Sequence, residues 1–130
     1  MKFIGLEPIS EKPQIEIRRN GQVWDLHNAA DFTGYQYDSQ NKTLKLIWDY
    51  GCDCAGVVGG EVSLEFNEVT KAIISEPDPS LPRSEDACLD AISLRNGTAL
   101  NAEFRGGQSF EVICKYVVFN PNGTIGQPVT

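Results

Sequence analysis

Four cysteines and one histidine are the residues of this chain most suited to bond-making chemistry. Cys52 and Cys54 lie one residue apart, and Cys88 and Cys114 are distant from them. Structural zinc sites use paired Cys-x2–4-Cys knuckles; here a Cys-x-Cys stands without a second knuckle. Cys52 and Cys54 are thus weak metal candidates, and unlinked thiols are expected over a disulfide. Cys114 falls on the apolar face of a strand, where a thiol packs as a small hydrophobe. His27 follows Val23-Trp24-Asp25-Leu26. It could act as a general base beside a carboxylate or a thiol, Cys88 or Cys54 among them. No Gly-x-Ser-x-Gly elbow supplies a nucleophile. The expectation is therefore no catalytic residue, with His27 as the alternative.

Carboxylates form the second set. Glu61 and Glu65 alternate with Val62, Leu64 and Phe66, which places both on one strand face about 7 Å apart. A glycosidase could use such a pair. Any solvated strand face has the same composition, and that reading is preferred. Asp49, Asp53 and Glu61 surround a loop, but the Asp-x-Asp-x-Asp-Gly pattern of a calcium loop is missing. No cofactor is expected.

These acids belong to a larger asymmetry. The formal charge is −7, and all of it arises between Trp48 and Asp86, where nine acids face only Lys71 and Arg83. The flanking segments are balanced. A one-sided field of this kind favours a basic partner. Lys and Arg are scattered along the chain, and Arg18-Arg19 is the one adjacent basic pair. Nucleic acid and anionic membranes are therefore not expected as partners. Trp48 and Tyr50 run straight into the acidic segment. They read as core residues, or as aromatic anchors at the edge of a protein-binding surface. That surface would comprise Asp49, Asp53, Glu61, Glu65 and Glu68, with Trp48 and Tyr50.

The elements that would carry these residues are strands. Asn20-Gly21, Asn96-Gly97 and Gly106-Gly107 punctuate the chain as hairpin turns do. Between them apolar residues alternate with period two: Ile15 and Ile17, Tyr35 and Tyr37, Leu44 to Trp48, Val62 to Phe66. Phe110, Val112, Cys114, Tyr116 and Val118 read as one face of a last long strand. Leu26–Phe32 and Ser84–Leu89 could each form a helical turn. Gly51–Gly60 reads as a loop, Pro77–Arg83 as an extended connector, and the chain from about Asn120 as a mobile tail. The expected fold is all-β: an antiparallel β-sandwich or curved meander sheet of about eight short strands, in a single domain spanning residues 1–130. A closed barrel is the alternative.

The 130 residues are 41% hydrophobic and 22% charged, ordinary values for a globular domain. No apolar run reaches the roughly 20 residues of a membrane helix. Met1-Lys2-Phe3-Ile4-Gly5 lacks the apolar core of a signal peptide, so a cytoplasmic location is expected. Three Asn-x-Thr sequons, at Asn41, Asn96 and Asn122, coincide with turns, where Asn is favoured for its backbone alone.

One stretch, about residues 24–75, has a familiar order. Leu26-His27 precedes strand Phe32–Asp38, the turn Ser39-Gln40-Asn41, Leu44-Lys45-Leu46-Ile47-Trp48, and Leu64-Glu65-Phe66-Asn67-Glu68-Val69. It resembles small bacterial all-β domains of unknown function, including mostly-β immunity proteins of toxin–immunity systems. The resemblance implies a non-enzymatic binder that neutralises a basic partner. A small hydrolase-like enzyme using His27 and a structural homo-oligomeric β domain are the competing classes. The sequence does not give the oligomeric state.

Overall fold

A computed structural model describes residues 1–51 and 59–121. Cys52, Asp53 and Cys54, the chain beyond Pro121 with the Asn122 sequon, and the metal, disulfide and tail expectations attached to them lie outside the described residues.

Eleven strands are described: β1 (Lys2–Ile4), β2 (Glu16–Arg19), β3 (Gln22–Asp25), β4 (Ala30–Asp38), β5 (Thr43–Tyr50), β6 (Gly60–Asn67), β7 (Lys71–Ser75), β8 (Leu89–Arg95), β9 (Ala99–Phe104), β10 (Ser109–Ile113) and β11 (Tyr116–Asn120). They form a five-stranded sheet in the order β1-β11-β6-β5-β4, a four-stranded sheet β7-β10-β9-β8, and a β2-β3 hairpin. The larger sheets pack as a sandwich. All pairs are antiparallel except β1, which runs parallel to β11. Among the described residues the one helical element is a 3-10 turn at Arg83–Glu85. Among the described residues no helix is long and apolar enough to cross a membrane.

The all-β expectation holds, and the count of about eight strands is corrected to eleven. Two strands, β1 and β7, carry no clear period-two signal: β1 has only three residues, and Ala72, Ile73 and Ile74 of β7 are apolar in succession. The expected last long strand is two. β10 belongs to the four-stranded sheet and β11 to the five-stranded one, with the chain crossing between sheets at Cys114-Lys115. The inward parity flips there. Phe110, Val112 and Cys114 point into the core, and then Val117 and Phe119 do, leaving Tyr116 and Val118 half-buried.

Side-chain alternation builds the core as it should in a sandwich. Leu44, Leu46, Trp48 and Tyr50 from β5 meet Val62, Leu64 and Phe66 from β6, and all are buried. A bulge at Thr33 resets β4, so that Phe32 and Tyr35 both reach the core despite their odd spacing. Phe32 and Trp48 of one sheet contact Phe104 of the other, with ring centroids 4.3 and 6.2 Å away, and Phe104 meets Phe110 at 5.9 Å.

The turns follow from side-chain chemistry. Asn20 and Gly21, like Asn96 and Gly97, take the positive φ angles that a tight hairpin demands. Asp25-x-x-Asn28 and Asp38-x-x-Asn41 close in the same way. One carboxylate oxygen accepts the backbone N–H groups two and three residues on, and the other accepts the Asn side-chain amide. The Leu26–Phe32 segment is consequently a single turn running into β4.

Two outcomes follow. Phe104→Ala removes the ring that touches both sheets and should cost about 3–5 kcal/mol in chemical denaturation. The hydrogen bonds from Asn41 and Gln40 hold the Asp38 carboxyl below its usual 3.8. A depressed pKa stabilises the fold above the unfolded value and loses that effect as pH falls through the folded one. Wild type should therefore exceed Asp38→Ala in stability at pH 6, and the gap should close towards pH 2, as read by thermal unfolding at each pH.

Candidate functional site

The acidic residues sort by strand register. On the outer face of the five-stranded sheet, Asp31 of β4 is opposite Asp49 of β5, and Asp49 is opposite Glu61 of β6. All three side chains are exposed, and none joins an ion pair among the described residues. Directly opposed residues have Cβ atoms about 4.5–5.5 Å apart, and like charges in that relation repel. The described residues hold no cluster of His, Cys, Asp and Glu fit for a metal ion. The row is thus a line of unpaired negative charge at one end of the sheet.

The other expected members part from it. Glu65 lies opposite Lys45, a residue of opposite charge, rather than another acid. Glu68 occupies the turn after β6. Asn67 pairs with Thr43 while Glu61 pairs with Asp49, so Glu68 is about 20 Å along the sheet from the row. Of the five expected carboxylates, Asp49 and Glu61 stand in this row with Asp31, Glu65 and Glu68 stand apart from it, and Asp53 lies outside the described residues. Asp31 is visible in the sequence only as an outward position between Ala30 and Phe32. Its alignment with Asp49 depends on cross-strand register.

Trp48 and Tyr50 do not edge this surface. Trp48 is fully buried, and Tyr50 is 1% exposed, with its hydroxyl accepting the Asp25 backbone N–H at 3.0 Å. Both alternate inward with Leu44 and Leu46, so the core reading of the two stands and the anchor reading is withdrawn.

The structure brings His27 to Cys88. The Cys88 Sγ is 3.4 Å from His27 Nδ1. That same nitrogen is 2.6 Å from the Leu89 carbonyl oxygen. A carbonyl only accepts, so Nδ1 carries the proton there and donates it. It cannot at the same time take the thiol proton as a base. Burial pushes the Cys88 thiol above its usual 9, with Arg105 opposing. A nucleophilic thiol needs the reverse shift. None of the four cavities described is lined by either residue. The contact does tie the Asp25–Asn28 turn to the start of β8. Cys88 and Cys114 are free thiols, and burial pushes Cys114 up to about 11.

Comparisons with protein-family models, curated proteins and solved structures find no match to this chain.

If His27 serves as a tie, His27→Ala should lower stability by about 1–2 kcal/mol in urea unfolding. It should also raise the reactivity of Cys88 towards iodoacetamide, followed by peptide mapping, because the thiol loses its cover. A catalytic base would give the opposite result for the thiol.

Proposed function

We propose that this chain is a non-enzymatic binding protein whose acidic sheet face receives a basic protein partner. The observation that carries the reading is the in-register row Asp31, Asp49 and Glu61. Three like charges opposed across neighbouring strands work against folding. Features that strain a fold gather at functional positions, where a ligand relieves them. An Arg or Lys seated between these carboxylates would do so, and the unpaired field would also hasten encounter. The finer form of the proposal is a toxin-neutralising immunity protein. It is supported by the resemblance over about residues 24–75 and by the net acidity of the chain.

The test uses the whole chain as bait in an extract of its native host, beside a variant carrying Asp31→Asn, Asp49→Asn and Glu61→Gln. The wild type should retain a basic protein at low salt and release it by about 0.5 M salt, where the Debye length falls to a few ångströms. The triple variant should lose at least about tenfold of that recovery. Its unfolding midpoint should equal or exceed that of wild type, since repulsion is removed. Recovery that the triple substitution leaves intact would sink the proposal.

A further inference from the structure

The topology gathers lysines as well as acids. Lys2, Lys42, Lys71 and Lys115 are four of the six lysines in the chain, and in sequence they are far apart. In the fold they meet at the end of the sandwich opposite the acidic row. The Lys2 backbone N–H donates to the Lys115 carbonyl at 2.8 Å, and that of Lys115 to Asn67 at 3.2 Å. Val69 N–H donates to the Lys42 carbonyl at 2.9 Å, and Thr70 N–H to Ile113, whose strand partner is Lys71. All four lysines are exposed. Every ion pair among the described residues uses an arginine, so none of these ammonium groups is neutralised by one. Lys45 lies three residues beyond Lys42, on β5, and faces Glu65.

Two of these lysines line a cavity of about 380 Å³, bounded by Met1, Lys42, Glu68, Thr70, Cys114 and Lys115. Its volume is at the lower end of the range for small-molecule sites. Two lysines and a hydroxyl bound it against a single carboxylate. Asp38, in the turn that also holds Lys42, already has its charge taken up by three N–H donors. Cys114, with its thiol protonated at neutral pH, adds no negative charge to the floor. Lys42 and Glu68 both take positive φ angles, 56° and 54°, and Val69 N–H bridges the two turns, so the rim is braced rather than loose.

We propose that this cavity is a binding site for a phosphate group, with Lys42 and Lys115 as its cationic contacts and the Thr70 side chain at its wall. A lysine ammonium is a compact point charge that suits phosphate, and two lining one cavity can meet an ion with oxygens on several sides. The volume leaves room for the rest of a small phosphate ester. The site is separate from the acidic row and does not depend on what that row binds.

Calorimetric titration of the full chain with inorganic tripolyphosphate tests the proposal, beside co-sedimentation with phosphatidylcholine vesicles containing phosphatidic acid. The wild type should bind one of the two probes, and which one separates a soluble phosphate from a lipid headgroup. Lys42→Gln with Lys115→Gln should weaken that binding at least about tenfold. Glu68→Gln removes the one opposing carboxylate and should tighten it several-fold. Lys12→Gln removes one positive charge away from the cavity and should alter it less than twofold. Failure of both probes, or an equal loss from Lys12→Gln and the Lys42/Lys115 pair, would overturn the assignment.

Discussion

The contact on which the rest depends is aromatic and lies between the sheets. Phe32 and Trp48 come from the five-stranded sheet, Phe104 and Phe110 from the four-stranded one, and their rings meet in edge-to-face, tilted and stacked pairs. Each sheet alone would expose a broad apolar face. Closing them on these rings removes that area from water and adds the directional preference of aromatic pairs. The bulge at Thr33 and the parity flip at Cys114-Lys115 both serve this closure. The first turns Phe32 and Tyr35 inward together. The second lets one continuous segment supply core residues to two sheets in turn.

A rigid core of this kind tolerates an expensive surface. Opposed carboxylates on β4, β5 and β6 repel, yet the strands beneath them are held by buried Ala30, Phe32, Trp48 and Val62. Charge is therefore free to be sorted by topology. The same strands end, about 20 Å away, among lysines. The molecule is negative in total, yet its described strands carry opposed carboxylates at one end and lysines at the other.

His27 and Cys88 show how proximity differs from chemistry. Two residues 61 positions apart meet at 3.4 Å, the expected composition of a reactive pair. The nearby Leu89 carbonyl decides what the pair does. It holds the imidazole proton on the nitrogen that faces the thiol, while burial keeps the thiol protonated. Sequence could place these residue types in one chain, but not the carbonyl beside them.

Local rules made much of this protein legible. Asn-Gly pairs located the hairpins at Asn20 and Asn96, because few residues adopt positive φ at low cost. Period-two alternation predicted the buried faces of β5 and β6 and the all-β class, because alternate side chains leave opposite faces of a strand. What the sequence could not show was register and sheet membership. These depend on contacts between distant segments: Asp31 with Asp49, β1 with β11, Lys2 with Lys115. For that reason acids from one stretch of sequence stand on separate surfaces among the described residues, and four lysines scattered in sequence come together. The chain by itself determined the fold class and total charge, which are sums over local preferences. Only the tertiary structure decided where that charge stands, because strand pairing alone brings distant side chains to one face.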